Sequence, residues 1–98
     1  MSQFHENPAL GRFEIAEPGG TVFANFRREG TQLFIDHVET PMAMRGQGAA
    51  GRLMGAIFEM AQKQGLNLVP ICPYAVAWLR RRNERTGPQG PPSALSSG

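Results

Sequence analysis

The hydrophobic period of this chain changes at one place, and that place constrains the fold more than any other feature. Up to Glu39, apolar and polar residues alternate in short runs; from Ala50 the apolar residues recur at helical spacing. The change falls on Arg45-Gly46-Gln47-Gly48-Ala49-Ala50, a glycine-rich turn that follows a strand and opens a helix. A helix start exposes unpaired backbone N–H groups and a partial positive charge. Glycines let that backbone approach a phosphate with no Cβ in the way. Arg45 adds a full positive charge. The turn is therefore expected to be an anion site, with a diphosphate as its natural guest.

Ahead of the turn, three runs read as strands. Arg12 to Glu17 (RFEIAE) puts Phe13 and Ile15 on one face. Pro18-Gly19-Gly20 signals a turn, and Thr21 to Arg28 (TVFANFRR) is rich in β-formers. Glu29-Gly30 is a second tight turn, followed by Gln32 to Glu39 (QLFIDHVE). Short turns between such runs predict an antiparallel meander. Residues 1–11 are polar, contain Pro and Gly, and read as a loose arm. Pro41 stops the third run.

Behind the turn, Ala50, Leu53, Met54, Ile57, Met60 and Ala61 share a face of an amphipathic helix of about 4 to 5 turns. Gly65 stands where a terminating glycine would. Leu66 to Cys72 (LNLVPIC) reads as a fourth strand, parallel to the third through a right-handed crossover. Pro70 inside it implies an edge, a bulge or a lapse in pairing. Pro73 suits the first turn of a second helix near Tyr74 to Asn83, with Trp78 and Leu79 as its buried contacts. From Thr86 the chain reads TGPQGPPSALSSG, so 86–98 is expected to be a disordered tail after one domain over 1–85. The class is α/β (α+β): an antiparallel meander, then β-α-β, then a C-terminal helix.

Composition matters mainly for what it excludes. No apolar run approaches the roughly 18 residues of a membrane span, and Met1 to Pro8 has no apolar core of a secretory signal. The single cysteine, Cys72, has no internal partner, which fits a reducing, cytoplasmic setting. His5 and His37 lie far apart and no Cys/His cluster occurs, so no metal site is expected. The net charge of +2 is carried largely by Arg80, Arg81, Arg82 and Arg85, a pattern most simply read as a solvated helix end.

Two registers of the turn compete. Gly46-Gln47-Gly48-Ala49-Ala50-Gly51 matches the dinucleotide pattern G-x-G-x-x-G to the letter. That pattern also needs an acidic residue at the end of the next strand, where Ile71 and Cys72 stand instead. A Walker-type loop fails because no Gly-Lys-Ser/Thr follows. The other register is R-x-x-G-x-A: Arg45, Gly48 and Ala50.

This second register resembles the pyrophosphate motif of the GNAT acetyltransferases, Gln/Arg-x-x-Gly-x-Gly/Ala. His37-Val38-Glu39-Thr40-Pro41, Arg45-Gly46-Gln47-Gly48, Gly65-Leu66 and Val69-Pro70-Ile71-Cys72-Pro73-Tyr74 follow in the order of the small, single-domain GNAT-like family (YjdJ-type), over roughly residues 12–82. The resemblance implies a GNAT-like mixed sheet with acetyl-CoA where the third and fourth strands splay apart. It implies that the backbone of Val38, Glu39 and Thr40 meets the pantetheine arm. It implies that Arg45, Gly46, Gln47, Gly48, Ala49 and Ala50 hold the pyrophosphate.

Four residues are candidates for the chemistry. Cys72 ends a strand beside the expected thioester and could accept the acetyl group first; the bland alternative is a small buried hydrophobe. Glu39 could take the proton of an acceptor ammonium, and His37, on the same face by alternation, has the more suitable ordinary pKa for a base. Asp36 is expected on the other face. Tyr74 could protonate the departing thiolate or simply pack at its helix start. The expected function is acetyl transfer from acetyl-CoA to an amine, either a protein lysine or a small amine. The alternatives are a coenzyme A-binding module without efficient transfer, since the last strands of larger GNAT enzymes are absent, and a small nucleic-acid-binding domain using Arg80–Arg85. The last lacks interleaved aromatics and any recognised motif, and a membrane partner is not expected.

Overall fold

The alternating runs pair into one five-stranded sheet in a computed structural model that describes residues 3–86. Strands β1 (Gln3–Asn7), β2 (Arg12–Glu17), β3 (Gly20–Glu29) and β4 (Gln32–Glu39) form an antiparallel meander. A 3-10 turn (Met42–Met44) leads into α1 (Ala49–Lys63), which returns the chain to β5 (Asn67–Pro70), parallel to β4. Helix α2 (Pro73–Thr86) follows. The strand order is β1-β2-β3-β4-β5. Apart from Thr86, which ends α2, the expected tail lies outside the described residues. No helix among the described residues is long and apolar enough to cross a membrane.

Residues 3–7 correct the reading of the N-terminal segment as a loose arm. Phe4 pairs with Ile15 and its ring stacks on Phe13 with centroids 5.7 Å apart. Glu6 receives both ends of the Arg28 guanidinium, at 2.9 and 3.1 Å. A polar strand takes its order from such cross-strand partners, which its own composition does not reveal.

The core lies between one sheet face and α1. Phe13 and Ile15 of β2, Val22 and Ala24 of β3, and Leu33 and Ile35 of β4 meet Leu53, Met54, Ile57 and Ala61 of α1. Each of these side chains larger than alanine contributes about 1.5–3 kcal/mol of transfer free energy. Helix α2 docks beside α1: Trp78 lies against Phe58, centroids 6.1 Å apart, and over Gly51 and Gly55. Trp78 and Leu79 are half-buried. Gly65, at φ +70°, ends α1 as expected. The N–H of Leu66 donates to Ala61 (2.8 Å) and that of Gly65 to Gln62 (3.3 Å), a Schellman pair.

Two irregularities open the sheet at one end. The β3–β4 register jumps from Phe26↔Ile35 to Asn25↔His37, leaving Asp36 as the extra residue of a bulge. The core-facing position of β4 therefore shifts from Leu33 and Ile35 to Val38. Asp36, held by Arg27 at 2.8 and 3.1 Å, shares the outer face with His37, which corrects the alternation expected for Asp36. The second irregularity is the end of β5, shorter than the expected 66–72. The N–H groups of Ile71 and Cys72 both converge on the Ile35 carbonyl, at 2.9 and 3.1 Å. The ladder stops there, and β4 continues past Ile35 without its parallel neighbour. Pro70 fits because β5 is the edge strand: Asn67 and Ile71 aim their N–H groups at β4, so Pro70, out of phase with them, faces away and costs no ladder bond.

Candidate functional site

The end of β4 freed from β5, the start of α1 and the start of α2 enclose an open cleft of about 330 Å³. It is within the size range of small-molecule sites. Its walls are Val38, Glu39 and Thr40 from β4, Met44, Arg45, Gly46 and Gly48 from the turn, Ala49 and Ala50 from α1, and Tyr74 from α2.

The glycines shape the turn for a close approach. Gly46 and Gly48 have φ of +82° and +78°, a region L side chains rarely enter. Gly48 is the N-cap of α1, and the first intrahelical bond runs from the Arg52 N–H to the Gly48 carbonyl at 3.0 Å. The N–H groups of Ala49, Ala50 and Gly51 therefore have no intrahelical acceptor. No side chain caps them, and no acidic residue occupies the first turn. Donors at a positive helix end, beside a cationic side chain, suit a multiply charged anion.

The charged and polar groups divide between the rim and the wall. Arg45 lies at the rim, with Nε 3.4 Å from the Thr40 carbonyl and Nη2 4.0 Å from Glu39 Oε2. Glu39 Oε1 meets His37 Nε2 at 2.8 Å on the outer sheet face. Burial raises the pKa of the Tyr74 phenol, outweighing nearby Arg81, so Tyr74 keeps its proton at neutral pH.

Of the residues singled out in the sequence, Val38, Glu39, Thr40, Arg45, Gly46, Gly48, Ala49, Ala50 and Tyr74 come together at the cleft. Three do not form its wall. Gln47 turns its amide back to the Ala43 carbonyl at 3.3 Å. His37 reaches the site only through Glu39. Cys72 is 7% exposed, packs with the core, and has its carbonyl committed to the Val76 N–H at 2.9 Å. Of the arginine cluster, Arg82 lies over the Phe58 ring at 4.3 Å. Among the described residues no group of three His, Cys, Asp or Glu could hold a metal ion.

Sequence reasoning missed two features. Met44, 1% exposed, forms the floor where the turn meets the sheet. Arg52, on the far side of the turn, forms a two-pronged ion pair with Glu17, 35 residues earlier. Neither has a local signal, because both depend on the β2–β3 hairpin reaching the turn.

Comparison with known proteins agrees with this geometry. No curated protein matches the chain. A solution structure of a GCN5-like protein from Staphylococcus aureus, described as a candidate N-acetyltransferase, superposes with a TM-score of 0.61 at 18% identity, covering 97% of this chain and 91% of that one. At that identity the likeness concerns the fold, a GNAT-like mixed sheet with two helices. The family model for GCN5-related N-acetyl-transferase matches residues 12–86. Since that span is most of its length, the chain belongs to the GCN5-related N-acetyltransferase family of acyltransferases.

Proposed function

We propose that this cleft binds acetyl-CoA and that the chain transfers the acetyl group directly to an amine. The observation that carries the reading is the set of uncapped N–H groups at the start of α1, opened by the positive-φ glycines Gly46 and Gly48 beside the same cleft as the end of β4 that has no β5 neighbour. The donors fit a diphosphate. The backbone of Val38, Glu39 and Thr40, beyond the reach of β5, offers a polypeptide edge to the amide-containing pantetheine arm. The bound thioester supplies the acetyl group.

The chain's own residues then handle two protons. Glu39, braced by His37, takes a proton from the acceptor ammonium, freeing its nitrogen lone pair to form the new N–C bond. As the C–S bond breaks, Tyr74 donates its phenolic proton to the sulfur and regains one from the second proton that the new amide nitrogen sheds. Arg45 and the helix start hold the diphosphate still and fix the reacting end. Cys72, buried and off the cleft wall, has no part in this route. The four ordered segments favour the small single-domain (YjdJ-type) branch, and lone Cys72 favours a cytoplasmic setting.

Thiol release from acetyl-CoA across a panel of lysine peptides, polyamines and aminoglycosides tests the proposal. Release that depends on one class of amine, with the acetylated amine seen by mass, is expected. No release with any amine, despite binding, would make the domain a coenzyme A-binding module. That reading has one observation in its favour, since β5 is an edge strand and no strand follows it among the described residues.

A further inference from the structure

The turn that faces the cleft is held from behind. Arg52 Nη1 donates to the Gln47 carbonyl at 2.9 Å, while its Nε and Nη2 donate to the two oxygens of Glu17 at 2.8 and 2.6 Å. One guanidinium thus joins the end of β2 to the peptide between Gln47 and Gly48. The rest of the hairpin supports the same turn: an atom added at the Gly19 Cα would stand 3.1 Å from Met44 Cγ, and one at Gly20 3.1 Å from Pro41 Cγ.

The Gln47–Gly48 peptide is trans, so its C=O and N–H point in opposite directions. Clamping the carbonyl to Arg52, behind the turn, aims the Gly48 N–H forward to the cleft that Gly48 lines. Glycine allows either sign of φ, so nothing local prevents this peptide from turning over. A reversed peptide would present a carbonyl oxygen to the phosphates and repel them.

We propose that Glu17 is a positioning residue for the coenzyme A diphosphate: through Arg52 it fixes the Gln47–Gly48 peptide with its N–H toward the ligand. The inference rests on the acetyl-CoA reading and adds a residue that touches no part of the ligand. Glu17 is well shielded, with 11% of its side chain exposed, and hydrogen bonding to Arg52 lowers its carboxyl pKa, so the clamp stays charged at neutral pH. Without Glu17, Arg52 regains its exposed rotamers and the grip on the carbonyl loosens.

Affinities for CoA and for S-acetylpantetheine, which lacks the diphosphate, separate this role from a general one. Both are measured by amide-shift titration of the wild type, Glu17→Gln and Arg52→Lys, each shown to be folded by circular dichroism. Losing one charge-assisted hydrogen bond should weaken CoA binding roughly tenfold in either variant. Binding of S-acetylpantetheine should stay unchanged, and the Gly48 amide should lose its CoA-induced shift. Unchanged CoA affinity in the two variants overturns the inference. So does equal weakening for both ligands, which would mean a merely structural role. A wild type that does not bind CoA overturns the acetyl-CoA reading itself. If Glu17→Gln fails to fold, Arg52→Lys alone decides, because it keeps the charge but cannot reach both partners at once.

Discussion

His37 and Glu39 are joined side chain to side chain across one residue of β4, Nε2 to Oε1 at 2.8 Å, and Glu39 also stands 4.0 Å from the Arg45 guanidinium. The carboxylate therefore links the outer sheet face to the rim of the cleft. In the proposed reaction that position suits a base receiving a proton from an amine that approaches past the end of β4 that lacks a β5 neighbour. Glu39→Gln is expected to lower kcat roughly hundredfold with little change in the KM for acetyl-CoA. His37→Ala should produce a smaller fall in kcat, because it removes only the brace. Steady-state thiol release measures both.

Cys72 offers a clear contrast. It is buried, packs with Ala75 and the core, and does not line the cleft. Cys72→Ala should keep kcat within about twofold while lowering stability by about 1 kcal/mol, as for a small core truncation. Intact-protein mass after incubation with acetyl-CoA should show no adduct on the wild type. An acetyl adduct absent from Cys72→Ala would instead establish a two-step route.

Two glycines of the same helix region should respond in opposite directions. Gly48→Ala forces an L residue to φ +78° and brings its Cβ to 3.3 Å from Arg52 Nη1. The cost is about 1–2 kcal/mol. Gly55 lies inside α1, where a Cβ would meet only Trp78 Cζ2 at 4.0 Å, an ordinary contact. Gly55→Ala should gain about 0.5–1 kcal/mol. Thermal melts distinguish the two, and only Gly48→Ala should also weaken CoA binding.

These contrasts show which parts of the molecule were legible in the sequence. The strands at Arg12–Glu17 and Gln32–Glu39, and the helix ended by Gly65, carry their own period and their own stop signals. The cleft wall was legible because Arg45 to Ala50 form one contiguous turn. β1 was not, since its order comes from Phe13, Ile15 and Arg28 on other strands. The bulge at Asp36 was not, because a register slip leaves no compositional mark. Nor was the Glu17–Arg52–Gln47 clamp, whose partners meet only after the hairpin folds over the turn.

Acid should weaken the fold through three carboxylates. Hydrogen bonds from Arg28, Arg12 and Arg52 hold Glu6, Glu14 and Glu17 below their ordinary value of 4.5. A carboxylate with a lowered folded-state pKa stabilises the fold above its unfolded value, and the gain disappears as pH falls through the folded value. The Tm should therefore be nearly flat from about pH 7 to 5 and fall below about 4.5. Glu14 is 8% exposed and also meets His5 at 2.9 Å and Asn7 at 3.2 Å. Glu14→Gln should lower the Tm at neutral pH and flatten the acid limb; a Tm series in matched buffers measures both.

A crystal structure of the complex with acetyl-CoA would show directly whether the cleft at the start of α1 holds the coenzyme. Diphosphate oxygens are expected within about 2.7–3.2 Å of the N–H groups of Gly48, Ala49 and Ala50, with the thioester between Glu39 and Tyr74. Coenzyme A bound elsewhere on the chain, or a cleft left empty at saturating ligand, would mean that this cleft is not the acetyl-CoA site.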